Sequence, residues 1–120
     1  MKTLKIYLSV NTDGYTKEAI EEMIKNDTQR LINMFKGYSI EIHTKRELNT
    51  TGLSNDERTL RELSLLKRCD IYAMGTDWTN DRSGKIERNM ASSQYGIPCV
   101  NTDAEYTANF LRDYIIAKCK

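Results

Sequence analysis

Two patterns of apolar residues alternate along the chain, short continuous runs and stretches with an apolar residue every three or four positions. Short apolar runs at residues 5–10, 38–43, 70–74 and 97–100 have the length and the β-branched or aromatic content of strands. Between these runs, apolar residues recur every three or four positions, as they do on one face of a helix. The predicted order of elements is therefore β-α-β-α-β-α-β-α.

Local signals predict where the helices begin and end. Thr16 is a predicted N-cap, and capping boxes at residues 54–57 and 102–105 open the second and fourth helices. Gly37 and Gly96 are the predicted ends of the first and third helices. The helical residues expected to face the core are Ile20, Met23, Ile24, Leu31, Met34, Phe35, Leu60, Leu63, Leu66, Ile86, Met90, Ala91, Phe110, Leu111, Tyr114 and Ile115.

The strand sequences also predict the strand order. Residues 38–43 alternate between apolar and polar, which is typical of an edge strand. Pro98 cannot donate a ladder hydrogen bond, so the fourth strand is expected at the other edge. Right-handed crossovers between parallel strands place helices on both faces of a sheet. We therefore predict one α/β domain over residues 1–120, a three-layer sandwich with a flavodoxin- or Rossmann-like parallel sheet in the order 2-1-3-4.

Composition and charge narrow the class of protein. The chain has 120 residues, of which 39% are hydrophobic and 29% charged, as in an ordinary globular domain. Its net charge of +1 argues against a nucleic-acid polymer or an anionic membrane as the main partner. The chain shows no apolar run of bilayer-spanning length, and its start does not look like a signal peptide. We expect a cytoplasmic protein.

The cysteine and histidine content argues against a metal site. Cys69, Cys99 and Cys119 are widely spaced and form no CxxC pair, so neither a disulfide framework nor a zinc site is expected. Cys69 and Cys99 flank apolar runs and are predicted to pack in the core as reduced thiols. His43 is the only histidine of the chain. We predict no metal ion.

The predicted sheet order also predicts the position of a binding site. In open parallel sheets, ligands bind beyond the carboxyl ends of the strands, at the switch in strand order, which here lies between the first and third strands. The rim includes carboxylates, amides and the only Trp, and its basic residues are Arg82 and Lys85, so a sugar or nucleoside fits it better than a highly charged phosphate. The predicted ligand-binding residues are Tyr7, Asn11, Asp13, Gly14, Gly75, Trp78, Asn80, Ser83, Gly84 and Asn101, with His43 and Thr44 at the periphery.

Three acidic residues of this rim are candidates for catalysis. Glu87 lies about one turn into the third helix, predicted over residues 84–95, where the helix dipole stabilises an ionised carboxylate. Such a carboxylate can attack the anomeric carbon of a sugar and form a covalent glycosyl intermediate. Asp77 or Asp81 could protonate the departing base or position it for protonation. Alternatively, Gly84 is the N-cap, Glu87 stabilises the helix at N3, and the aspartates are ordinary turn residues.

Other rim features also have two interpretations. Trp78 could stack on a base, or it could cover the end of the sheet or form an oligomer contact. Tyr7 could direct its hydroxyl into the cleft, or it could be a core tyrosine. The turn at residues 12–16 is only faintly similar to a flavin-phosphate loop. The charged residues 45–47 are most simply a solvated loop.

Four segments carry a family resemblance. They are Lys5-Ile-Tyr-Leu-Ser9, Cys69-Asp-Ile-Tyr-Ala-Met-Gly-Thr-Asp-Trp78, Glu87-Arg-Asn-Met-Ala91 and Tyr95-Gly-Ile-Pro98, with the Glu nine residues after the Trp. In this pattern the chain resembles the nucleoside 2-deoxyribosyltransferase-like superfamily, especially its small phage- or prophage-encoded members. The resemblance implies a Rossmann-like homodimer or higher oligomer that needs no cofactor. The implied reaction is cleavage or transfer at the N-glycosidic bond of a nucleoside or nucleoside monophosphate, with Glu87 as the nucleophile.

Two departures from the family pattern lead to an alternative function. Val10-Asn11 stand where family members usually carry Gly-Pro, and Asp81 stands where a Ser is common. The alternative is a non-catalytic protein of the same fold that binds or sequesters a nucleotide-derived small molecule. A flavodoxin-like electron carrier is a more distant alternative.

Overall fold

Four parallel strands form the centre of the molecule, in the order β2-β1-β3-β4. The computed structural model describes residues 3–102 and 115–117. The strands are β1 (Leu4–Ser9), β2 (Ile40–His43), β3 (Ile71–Met74) and β4 (Cys99–Asn101). The predicted α/β class, the strand order and the edge positions of β2 and β4 are confirmed.

Helices connect the strands and cover both faces of the sheet. They are α1 (Lys17–Met34), α2 (Asn55–Lys67) and α3 (Gly84–Asn89), with 3-10 turns at Lys45–Glu47 and Trp78–Asn80 and a π-helical turn at Met90–Gln94. The hydroxyl of Thr16 accepts a hydrogen bond from the Ala19 N–H, and Ser54 and Glu57 form a reciprocal capping box, as predicted. Residues 115–117 are helical. No helix in the described part of the chain combines the length and apolar character that a bilayer span demands.

The predicted end of the first helix is wrong, whereas the helical run of the third ends just before Gly96, as predicted. The first helix ends at Met34 with Phe35 as its C-cap, and Gly37, with a φ of +94°, lies in the turn beyond. The third helix changes from α to π geometry after Asn89, so residues 84–95 do not form one regular helix. The strand ends lie within two residues of their predicted positions.

Two predicted core positions are also wrong, because helical spacing turns them outward. Leu60 is 65% exposed, since six residues at 3.6 per turn place it about 120° around α2 from the buried Leu66. Ile86 is 47% exposed, because Glu87 and Ala91 take the inward face at that point. The box at 102–105 and the positions Phe110, Leu111 and Tyr114 lie outside the described residues, apart from Thr102. Ile115 is buried as predicted.

The central strand β1 is buried on both of its faces. Leu4, Ile6 and Leu8 point into a core formed with α1, β3 and residues 115 and 116. Tyr7 points to the opposite face, into a second core with α2 and the turn after α3. Ser9 is two residues further and shares that face, because side chains alternate along a strand. Cys69 is buried in this second core as a free thiol, and Cys99 packs against it.

A buried carboxylate joins α1 to the carboxyl edge of the sheet. Asp27 has no exposed surface, and it accepts hydrogen bonds from the backbone N–H of Thr76 at 2.7 Å and from the hydroxyl of Thr102 at 3.0 Å. Gly75 lies against it, since a Cβ there would come within 2.7 Å of the Asp27 Oδ2 atom. The segments after β3 and β4 are therefore held to one point on α1.

We expect replacement of Asp27 by Ala to lower the free energy of unfolding by about 1–3 kcal/mol, because it leaves the partly buried Thr76 N–H without its acceptor. The urea midpoint should fall with an unchanged m-value. Glu22→Ala, at an exposed position of the same helix, is the control and should unfold like the wild type. Equal midpoints for the two variants would contradict this role of Asp27.

Candidate active site

Glu87 lies beneath the carboxyl edge of the sheet, in the first turn of α3. Its side chain is almost fully enclosed, with 1% exposed surface. The N-cap of α3 is Ser83, not Gly84 as the alternative interpretation required. Gly84 is the first helical residue, and a Cβ at this position would overlap the carbonyl oxygen of Trp78. The start of α3 therefore packs directly against the 3-10 turn at Trp78–Asn80.

Three hydroxyl groups surround the carboxyl group of Glu87. Tyr7 donates a hydrogen bond to Oε2 at 2.6 Å, and Ser9 donates to Oε1 at 3.2 Å. Both donors come from the same face of β1. The hydroxyl of Ser83, just before α3, lies 3.3 Å from Oε2. Tyr7 is therefore a core residue, and its hydroxyl reaches the enclosed carboxyl group of Glu87.

The pKa of Glu87 departs from the expectation of a readily ionised carboxylate. Burial raises this pKa to about 7, while the hydrogen bond from Tyr7 lowers it and the nearby Glu62 and Asp81 charges raise it. Burial is the largest of these effects and outweighs the hydroxyl donor, because a charge is poorly solvated away from water. Glu87 consequently titrates near neutral pH, where a group can act in either protonation state.

Ser83 connects Glu87 to two further buried carboxylates. Its Oγ atom lies 3.0 Å from an oxygen of Glu62, 3.3 Å from one of Asp81 and 3.3 Å from one of Glu87. A hydroxyl carries one proton and donates to one acceptor at a time. A proton kept by Glu87, which its raised pKa favours, supplies a second donor to this cluster.

Two stacked tyrosines form the floor beneath Glu87. The rings of Tyr7 and Tyr72 are 5.8 Å apart and inclined by 19°. Burial and the neighbouring Glu87 charge raise the pKa of both phenols, so both keep their protons at neutral pH. Tyr72 donates its hydroxyl to the carbonyl of Gly84 at 3.2 Å and so also supports the start of α3.

Asp81 is paired with a lysine that the sequence did not place at the site. Lys45 Nζ lies 2.5 Å from Asp81 Oδ2, and its side chain is only 16% exposed. The prediction of a solvated loop at residues 45–47 is therefore wrong for Lys45, which folds inward to this charge, whereas Arg46 and Glu47 are exposed. Burial tends to raise the pKa of Asp81, but the hydrogen bond and charge of Lys45 lower it below its usual value. Asp81 is thus ionised at neutral pH and is a poor proton donor.

Arg82 and Glu62 form a second ion pair behind Ser83. Arg82 Nη2 lies 2.6 Å from an oxygen of Glu62, and Nη1 donates to the hydroxyl of Thr59 at 2.6 Å. Sequence reasoning missed Glu62, which stands four residues before the buried Leu66 and so on the inward face of α2. A charged residue within an apolar helical stripe is the signal that could have identified it.

A second polar cluster surrounds Asp77. Its carboxylate accepts hydrogen bonds from the side-chain amides of Asn11 at 2.9 Å and Asn80 at 2.5 Å, and from the Tyr15 hydroxyl at 3.0 Å. These bonds lower the pKa of Asp77, the one from Asn11 most of all. Asp77 therefore also remains ionised and accepts hydrogen bonds rather than donating a proton.

The remaining predicted residues are spread around the rim. Asp13 accepts a hydrogen bond from the Arg82 backbone N–H at 2.8 Å. Trp78 is partly buried, with its ring beside Gly84. Gly14 is exposed in a turn with a φ of +81°, and Asn101 is an exposed residue of β4. His43 lies at the end of the edge strand β2, where its ring contacts the carboxylates of Glu41 and Glu47.

A cavity of about 190 Å³ opens next to the ion pairs. It is bounded by the turn after β1, the start of α1, the segment after β2 and the first two turns of α2. Its lining residues are Thr12, Ile20, Lys45, Arg46, Leu48, Thr50, Arg58 and Glu62. Glu87 is not among them and is separated from this space by Ser83 and Glu62.

Comparison of the chain with family models, with curated proteins and with solved structures finds no match in any of the three. The nucleoside 2-deoxyribosyltransferase-like assignment therefore stays a prediction based on the sequence motifs. Within residues 3–102 and 115–117, no group of three or more His, Cys, Asp or Glu side chains is arranged to hold a metal ion.

The raised pKa of Glu87 predicts a pH-dependent stability. Below about pH 4.5, the ordinary pKa of a glutamate, Glu87 is protonated in both the folded and the unfolded chain. The free energy of unfolding is therefore not reduced by Glu87 in this range. Between pH 4.5 and 7 the unfolded chain loses the proton first, so stability falls with rising pH, by roughly 3 kcal/mol in all. Urea unfolding of the wild type and Glu87→Gln between pH 4 and 8 measures this change. A constant difference between the two proteins across this range would show that Glu87 titrates normally.

Proposed function

We propose that the protein cleaves the N-glycosidic bond of a nucleoside or nucleoside monophosphate, or transfers its glycosyl group to another base, with Glu87 as the nucleophile. The observation that carries this proposal is the placement of Glu87, a carboxyl group with a pKa of about 7 that is held by the Tyr7 hydroxyl at 2.6 Å. Buried carboxyl groups with strongly shifted pKa values are concentrated at functional sites. The spacing of Glu87 from Trp78 supports the same chemistry through the family resemblance.

The reaction needs the ionised form of Glu87, which is well populated at neutral pH. Its carboxylate attacks the anomeric carbon, the carbon–nitrogen bond breaks, and the base leaves with the bonding electrons and acquires a proton. Water or a second base then attacks the glycosyl ester and releases Glu87. Tyr7 acts as a positioning residue, because its hydroxyl holds one carboxylate oxygen.

Asp77 and Asp81 do not protonate the departing base in this mechanism. The pKa values of Asp77 and Asp81 are both lowered, by side-chain amides and by Lys45 respectively, although burial opposes the shift at Asp81. Both therefore accept hydrogen bonds at neutral pH. They position the base by accepting its N–H groups, and the proton for the departing base comes from solvent.

Glu87→Gln should reduce turnover at least about a thousandfold, because the amide cannot act as the nucleophile. Release of free base is measured by chromatography with a panel of deoxynucleosides and their 5′-monophosphates. Glu22→Gln, at an exposed position of α1, should keep the wild-type rate. A wild-type protein that cleaves nothing in the panel, or a Glu87→Gln variant that remains active, would overturn the proposal.

Tyr7→Phe should shift the pH–rate profile. Loss of its hydrogen bond removes an interaction that lowers the pKa of Glu87, so the rise of activity with pH should move to higher pH. The control is Tyr38→Phe, at an exposed position after α1. If the Tyr7→Phe profile keeps the wild-type midpoint, Tyr7 does not position the nucleophile.

A second function is favoured by one observation. Glu87 has only 1% exposed surface and does not line the 190 Å³ cavity. A protein that binds a nucleotide-derived small molecule without chemistry would use the cavity and keep Glu87 as a buried structural group. Calorimetry would then detect binding, and mass spectrometry would recover the ligand unchanged.

A further inference from the structure

The lining of the cavity described above is dominated by positive charge. Lys45, Arg46 and Arg58 contribute three cations, and Glu62 contributes one carboxylate. These residues come from two parts of the chain, the 3-10 turn after β2 and the first two turns of α2. The sequence alone did not reveal this convergence, because residues 45–47 read as a solvated loop.

Of the three cations in the cavity lining, Arg46 and Arg58 are less neutralised by ion pairs within the protein than Lys45 is. Lys45 is paired with Asp81 at 2.5 Å, and the Glu62 charge is compensated by Arg82. Arg46 has only a 3.9 Å pair with Glu21, and the side chains of both are substantially exposed, so this pair is weak. Arg58 makes a long contact of 3.5 Å with the Asn55 side chain.

We propose that this cavity binds the phosphate group of a phosphorylated sugar through Arg46 and Arg58, with Lys45 as a third positive charge. Guanidinium groups suit this ligand because their donors match two oxygens of a phosphate at once. A volume of about 190 Å³ is smaller than ordinary drug-sized pockets, and it suits a compact ligand such as a pentose phosphate. Ile20 and Leu48 form the apolar part of the wall.

The cavity is connected to the candidate nucleophile through a single side chain. Glu62 lines the cavity, and the Ser83 hydroxyl lies 3.0 Å from Glu62 and 3.3 Å from Glu87. A phosphate in the cavity therefore lies on the Glu62 side of the Glu87 cluster. If the proposed function is correct, a phosphate site here means that the enzyme prefers nucleoside monophosphates to nucleosides as substrates. This part of the inference rests on the proposed function. The binding itself does not depend on turnover.

The direct test is calorimetric titration with ribose 5-phosphate, ribose and inorganic phosphate. We expect ribose 5-phosphate to bind, ribose to show no measurable binding, and inorganic phosphate to bind more weakly than the ester. Arg58→Gln and Arg46→Gln should each weaken ribose 5-phosphate binding roughly tenfold or more. The control is Arg61→Gln, an exposed residue of α2 outside the cavity lining, which should bind like the wild type.

Two outcomes would overturn this inference. Ribose 5-phosphate fails to bind the wild type, or it binds with equal affinity to the wild type, Arg46→Gln and Arg58→Gln. Far-ultraviolet circular dichroism of each variant confirms that a loss of affinity does not come from unfolding.

Turnover and ribose 5-phosphate binding, both measured on the wild type, separate this inference from the proposed function. If the wild type has no glycosidic activity but ribose 5-phosphate binds in an arginine-dependent way, the binding site stands and the enzymatic proposal fails. If nucleosides and their monophosphates are cleaved with equal kcat/KM and ribose 5-phosphate does not bind, the enzymatic proposal stands and the phosphate site fails.

Discussion

The carboxyl group of Glu87 is enclosed by the protein, and the need to satisfy it constrains the whole carboxyl edge of the sheet. A buried carboxyl without partners costs several kcal/mol, so the donors around it must keep their positions. Tyr7 and Ser9 supply two of them, and both depend on the central placement of β1. Because Ile86 faces solvent, the first turn of α3 meets the sheet largely through this polar contact and the hydrogen bond from Tyr72 to the Gly84 carbonyl.

The charges around Ser83 are arranged so that similar groups titrate differently. Asp81 has Lys45 as a direct partner, and its pKa is lowered. Glu87 takes its hydrogen bonds from hydroxyl groups in the described part of the chain, and burial raises its pKa to about 7. Carboxyl groups whose surroundings separate their pKa values in this way are able to take distinct roles in one reaction. The site therefore contains a permanently charged acceptor beside a group that exchanges its proton near neutral pH.

The fold was predictable from the sequence because its signals are local. Alternation at residues 38–43 and Pro98 identified the edge strands, and caps at Thr16 and Ser54 identified two helix starts. Glu87 was predicted as a site residue because it lies about one turn into the helix that follows β3. Its raised pKa was not, because burial depends on contacts between distant segments. Lys45 was missed for the same reason, since its inward direction depends on an aspartate 36 residues later.

Asp27 has a consequence for how the rim can deform. Its carboxylate connects α1 to the backbone after β3 and to the residue after β4, so these three parts are held together as one unit. The segment after β2 is joined to this unit by the ion pair of Lys45 with Asp81, in which part of the Lys45 side chain is open to solvent. The Asp81 side chain is fully enclosed and that of Lys45 is 16% exposed, so salt screens this pair less than it screens a surface pair. Moving the segment after β2 away from the rim therefore requires the lysine and aspartate charges to be separated within a mostly enclosed contact.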